Sequence, residues 1–219
     1  MHTFTRSAMI GSLLLLTIAN TGTGSETKKT TSKHPTVHKS EKPLKFPERR
    51  KYQHNDKIDV LYDKFTDKTT LAINYPGGMK IDHTNLEIGF LFEFSGRSLA
   101  QQVRPSSKLT LMIDSKSENW EYLQFGHDLD FLVDGERMSI GTLDHDGSVG
   151  EGYVLEFMAA HISVSQFLRL ANAKTIEGKL STTEFSLSSD QIETIKDFAS
   201  RLSGGTVDEA MDPIKLIQQ

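Results

Sequence analysis

The stretch TLDHDGSVGEG, Thr142 to Gly152, sets Asp144, His145 and Asp146 in direct succession and follows them with Glu151. Carboxylates and an imidazole are the groups from which Ca2+ or a transition ion takes its protein ligands. An EF-hand loop would also need further oxygen ligands at set spacing and a glutamate at its twelfth position, and these are absent. The same residues suit a hairpin connection of about four or five residues, because Asp144 and Asp146 can accept from nearby backbone N–H groups and Gly147 allows a positive φ. The stretch therefore reads first as a turn between two strands. Asp144, His145 and Asp146, with Glu151 in reserve, are the candidate ligands for Ca2+ or a transition ion; of cofactors only Ca2+ is kept as a candidate.

A second acidic set lies in HDLDFLVDGE, His127 to Glu136. Alternation places Asp128, Asp130 and Asp134 opposite Leu129, Phe131 and Val133, with His127 at the head of the row. Two carboxylates at suitable separation can share the acid and base work of glycoside hydrolysis, which makes Asp128 and Asp130 candidate catalytic groups. A solvated sheet face has the same appearance. His161, between an apolar strand end and a helix cap, is a third candidate, for which a structural hydrogen bond is the expected role. Trp120 and Tyr122 stand two apart on an expected strand and could form a stacking platform for a sugar or peptide, or equally belong to the core.

Other chemistry is excluded by what the chain lacks. It has no cysteine, so thiolate metal sites, cysteine nucleophiles and disulfides are absent. DGSVG departs from the nucleophile elbow where Asp146 replaces the first glycine, and the strand-to-helix context is missing. There is no His-Glu-x-x-His, no phosphate-binding glycine-rich loop and no dinucleotide fingerprint.

The elements that must position these residues are mostly strands. IDVLYDKF and TTLAINY flank Thr66-Asp67-Lys68 as a hairpin. LEIGFLFEF puts Leu86, Ile88, Phe90, Phe92 and Phe94 on one face, and KLTLMID repeats the alternation with Leu109, Leu111 and Ile113. WEYLQF and DLDFLVD follow, and Asp134-Gly135 marks a tight hairpin before RMSIGTL. VGEGYVLEFMA then sets Tyr153, Leu155 and Phe157 on one face. Capping-box spacings at Ser163–Gln166 and Ser188–Gln191 open a short helix over FLRLANA and a longer one whose stripe is Ile192, Ile195, Phe198, Ala199 and Leu202. KTIEGKL and TEFSL form two strands between them. The expected fold is mainly β within the α+β class: an antiparallel β-sandwich or barrel-like sheet with a short helix and a longer C-terminal helix.

The ends differ from this body. One Arg6, an apolar run from Ala8 to Ala19 and small residues up to Ser25 have the form of a secretory signal peptide over 1–24. From Glu26 to Lys57 ten Lys/Arg stand against four Asp/Glu, and from Ile58 to Gln219 fourteen stand against twenty-five, so a +6 arm precedes a −11 domain. Residues 25–57, rich in Lys, Thr and Pro, read as a disordered basic linker, 58–203 as the globular domain and 204–219 as a flexible tail. The arm could touch an anionic surface, whereas the acidic domain argues against nucleic acid.

From Phe157 to Leu202 the pattern F..LA.A..IE..L...EF.L...Q...I.DFAS resembles the ends of exported bacterial proteins of unknown function. It covers about a fifth of the chain. It consists of core and cap positions, so the resemblance supports the fold and implies no active site. The expected function is a periplasmic or secreted binding domain for an envelope or extracellular protein or polymer. A hydrolase or metal-dependent enzyme working through the carboxylates and histidines of one sheet face or loop is the alternative.

Overall fold

A computed structural model of the chain describes residues 44–47, 56–75, 77–99 and 103–203. The chain divides into residues 1–40 and 41–219, and every described residue belongs to the second unit. The segments read as signal peptide and tail, and most of the basic linker, lie outside the described residues.

The elements run β1 (Ile58–Asp63), β2 (Lys68–Ile73), β3 (Met79–Lys80), β4 (Leu86–Ser95) and β5 (Lys108–Ser117). A single helical turn, α1 (Tyr122–Phe125), leads to β6 (Asp128–Val133), β7 (Glu136–Thr142), β8 (Asp144–Gly150) and β9 (Tyr153–Ser163). The chain ends its folded course with α2 (Val164–Ala171), β10 (Ile176–Leu180), β11 (Thr183–Ser186) and α3 (Ser189–Arg201). All pairings are antiparallel. One sheet has the order β1-β2-β4-β5-β9-β8 with β3 alongside β4, and the other the order β11-β10-β6-β7. The fold is mainly β, and neither sheet closes into a barrel.

Alternation decides which face of each strand turns inward. Leu86, Ile88, Phe90, Phe92 and Phe94 of β4 and Leu109, Leu111 and Ile113 of β5 are buried, and share one core with Leu129, Phe131 and Val133 of the second sheet. Removing a side chain of this size from water contributes roughly 1.5 to 3 kcal/mol. The helices lie on the same side: the Phe90 ring sits 5.0 Å from that of α2 Phe167, which meets α3 Phe198 edge-on at 5.4 Å. Both helices begin at the expected capping boxes, where each serine accepts from a glutamine N–H and each glutamine side chain accepts from the serine N–H. In the C-terminal pattern, Phe167, Leu170, Ile176, Phe185, Ile195 and Phe198 are all buried. The packed body also extends upstream of β1, since Leu44 and Phe46 lie half-buried against the core and Lys45 O accepts from Asn172 Nδ2 at 3.1 Å.

Two local expectations are corrected. WEYLQF is not a strand but a loop entering α1, so Trp120 and Tyr122 do not share a strand face. Asp144 to Gly150 is strand β8 rather than a turn, and the chain reverses instead at Glu151-Gly152, where Gly152 has φ 77°. In β9, Tyr153, Leu155 and Phe157 share a face as expected; it is turned from the core, and Val154, Glu156, Met158 and Ile162 face inward.

Candidate functional site

The strand that replaces the expected turn carries its chemistry on two sides. Cross-strand partners share a face, and His145 pairs with buried Met158 while Asp144 pairs with Ala159 and Asp146 with Phe157. His145 therefore points into the protein, and both aspartates are exposed on the opposite face. No group of three or more His, Asp or Glu among the described residues is placed to hold a metal ion.

Inside, His145 meets Glu156. The Glu156 side chain is 0% exposed and that of His145 8%, with Nε2 and Oε1 3.0 Å apart. Glu156 also accepts from the backbone N–H groups of Glu121 at 2.8 Å, Tyr122 at 3.0 Å and Leu123 at 2.9 Å. A carboxylate placed at the first turn of α1 takes up donors that a helix start leaves unpaired. Burial pushes the Glu156 carboxyl upward, and these backbone bonds with His145 offset it, leaving its pKa below the ordinary 4.5. A charged, acceptor-only carboxylate assigns the Nε2 proton to His145.

Around this clamp the rings close in. Trp120 lies 6.1 Å from His145, and His127 lies 5.3 Å from it at an interplanar angle of 32°. Gly147, the cross-strand partner of Glu156, leaves room for Trp120: a Cβ there would stand 2.5 Å from the indole Cζ3 and 2.7 Å from Leu155 O. Ser115 pairs with Glu156 from the other side, and its Oγ and His127 Nδ1 are buried without a protein hydrogen-bond partner. The arrangement fixes the 120–126 loop onto β9.

The acidic set of β6 does not converge. Asp128 accepts from Thr142 Oγ1, Asp130 from Arg137 at 2.8 Å, and Asp134 from the N–H groups of Lys174 and Thr175 at 2.8 and 2.9 Å. His127 does not head that row, because its ring turns inward to His145. Asp134 and Gly135 both have positive φ, 51° and 82°, as a two-residue hairpin turn requires. His161 is exposed on β9 with Nδ1 3.3 Å from Thr110 Oγ1. Tyr122 is buried, its hydroxyl 3.1 Å from Thr183 Oγ1, so it offers no platform.

Sequence reasoning passed over a different pair. Glu87 of β4 and Asp114 of β5 are direct cross-strand partners on the face of the larger sheet turned from the core. Glu87 Oε2 receives the Gly78 N–H at 3.4 Å. Asp114 is half-buried, and its pKa is pushed up to about 6, first by burial and then by the Glu87 carboxylate. A carboxyl that titrates near neutrality beside a second carboxylate can exchange protons under working conditions. The signal in the sequence was the carboxylate at an alternate position of each strand, Glu87 in LEIGFLFEF and Asp114 in KLTLMID. What it lacked was the register that pairs the two. No protein-family model, curated protein or solved structure matches this chain.

Proposed function

We propose that this chain is an exported interaction domain, a β-rich body carried on a basic arm, which binds an envelope or extracellular partner through the face of its larger sheet turned from the core. One observation carries this reading. That face presents half-buried Met112, Leu155 and Ala159 next to Phe157, which is 45% exposed. Both α2 and α3 pack on the Phe90 side, away from it. Apolar surface of this kind on a sheet marks a contact site. Export is supported by the apolar run at Ala8–Ala19 and the small residues after it. The test places a photo-cross-linking residue at position 157 of the full chain in a bacterial host, with position 65 as control, since Phe65 is also exposed, at 87%. A discrete adduct from position 157 alone, in the exported fraction, supports the proposal. Equal labelling at both positions, or retention in the cytoplasm, overturns it.

A second reading rests on Glu87 and Asp114. Two directly opposed carboxylates, one titrating near 6, suit acid and base roles in a hydrolase. It requires that Glu87→Gln and Asp114→Asn each abolish glycoside or ester hydrolysis by the purified chain. Activity unchanged by both removes it.

A further inference from the structure

The register of the larger sheet narrows the partner's chemistry, on the basis of the interaction reading above. Two adjacent cross-strand rows run over the exposed face. One passes from Gly89, which the Gly77–Gly78 segment covers, through Met112 and Ala159 to Asp144, and the other from exposed Lys80 through Glu87, Asp114 and Phe157 to Asp146. The apolar side chains of Met112, Ala159 and Phe157 therefore lie between two carboxylate pairs, Glu87 with Asp114 on one side and Asp144 with Asp146 on the other. Neighbouring strands are about 4.8 Å apart, so the two acidic borders stand roughly 10 to 14 Å from each other. β8 forms the rim of the sheet, with no further strand paired to it among the described residues.

We infer that this face docks an extended peptide segment of a partner protein in which an apolar side chain is flanked two residues away on each side by Lys or Arg. In an extended chain, residues two apart project to the same side and residues four apart are separated by about 13 Å, which matches the span between the acidic borders. The central apolar side chain then meets Phe157 and Met112 while the two cations meet the carboxylate pairs. Charge complementarity selects the partner: a domain of net −11 from Ile58 to Gln219 repels an acidic segment before it can dock.

The experiment uses the full chain and a fluorescein-labelled synthetic peptide, Lys-Thr-Phe-Thr-Lys with neutral ends, read by polarisation at low salt. Two control peptides replace Phe by Ser or both Lys by Glu. Saturable binding of the first peptide, at least tenfold tighter than either control, is expected. Phe157→Ala should weaken it about tenfold, and the double change Asp144→Asn with Asp146→Asn about threefold to tenfold, with a shallower salt dependence. All three positions are exposed, and circular dichroism of each variant checks that the fold is kept. Binding that is indifferent to these substitutions, or equal for all peptides, overturns the inference. A sedimentation shift from dimer to monomer on Phe157→Ala would make a second copy of the chain the occupant, and also overturns it. If the peptide fails to bind while the position-157 adduct forms in cells, the partner's chemistry is wrong and the interaction reading stands. If both fail, both fall.

Discussion

Asp114 and Glu156 sit almost side by side in the sheet, yet their environments push them in opposite directions. The partner of Asp114 across β5 and β9 is Phe157, and the partner of Ser115 is Glu156, so the two carboxylates are one register step apart on opposite faces. Glu156 is completely buried and has its pKa lowered, whereas Asp114 is only half-buried and has its pKa raised to about 6. Burial alone would rank them the other way. What differs is the supply of donors. Glu156 collects three backbone N–H groups and an imidazole. Asp114 faces another carboxylate. The inner position is a finished polar contact, and the outer one keeps its acidity open to change.

The largest expected effect breaks the inner half of the comparison. Glu156→Ala strips the acceptor from three buried N–H groups and from His145, and loss of one partner of a buried charged contact costs roughly 3 to 5 kcal/mol. For a domain of this size that lowers the melting midpoint by about 10 °C or more. Glu156→Gln keeps the shape but turns an N–H2 toward donors, and should fall between the two. A loss under about 1 kcal/mol for the alanine variant would mean the 120–126 loop is held by other contacts. Gly147→Ala comes next, because its methyl must displace both the Trp120 indole and the Leu155 carbonyl. Overpacking of this kind costs about 1 to 3 kcal/mol. Tryptophan fluorescence should shift with it, since the indole must move, and an unshifted spectrum with full stability would contradict the tight packing.

How much of this was legible in the sequence follows the same division. Apolar positions at period two or at helical spacing declared themselves, so β4, β5, β6, α2, α3 and both capping boxes stand where alternation and cap chemistry put them. In β9 alternation grouped Tyr153, Leu155 and Phe157 without fixing which face is buried, because YVLEF offers two apolar faces and the one holding a glutamate is the one turned inward. A strand can bury Glu156 only where donors from a distant segment arrive, and those come from residues 121–123, more than thirty positions upstream. That is tertiary information. The same holds for DHDGSVG, whose aspartates and glycines have turn chemistry but whose pairing with β9 makes it a strand. Of the candidate site residues, those with local partners could be read, such as Asp134 in its turn, while the Glu87–Asp114 pair required a register that no local pattern states.

The outer half of the comparison is sharpened by pH. Asp114 has an ordinary value of 3.8 and a folded value of about 6. Between these pH values the unfolded chain has released the proton and the folded chain still holds it, so Asp114 favours folding below about pH 4 and loses that contribution as pH rises through 6. Asp114→Asn stays neutral throughout. The variant should match the parent at pH 4 and melt several degrees above it at pH 7.5. Glu156 has the reverse sign, because its lowered value stabilises the fold above the ordinary 4.5 and is lost on acidification. The acid-side fall in stability should therefore shrink in Glu156→Gln and persist in Asp114→Asn. An Asp114→Asn variant less stable than the parent at pH 7.5 would show that a donor already satisfies Asp114.

The smallest effects are expected where side chains leave the sheet for solvent. Asp144→Ala and His161→Ala remove exposed groups, and each should change stability by no more than about 0.5 kcal/mol. The Asp144 variant also tests the reading of the acidic stretch as a Ca2+ site. An ion at a hundred times its dissociation constant would add about 2.7 kcal/mol and raise the midpoint by roughly 5 to 10 °C. Because β8 turns His145 inward and Asp144 and Asp146 outward, the three cannot close on one ion without breaking the pairing with β9. Added Ca2+ should thus move the midpoint of the full chain by less than about 1 °C, with or without Asp144. A shift of several degrees that disappears in Asp144→Ala would require the strand to peel away from β9 to bind the ion, and the His145–Glu156 contact would then be the latch that opens.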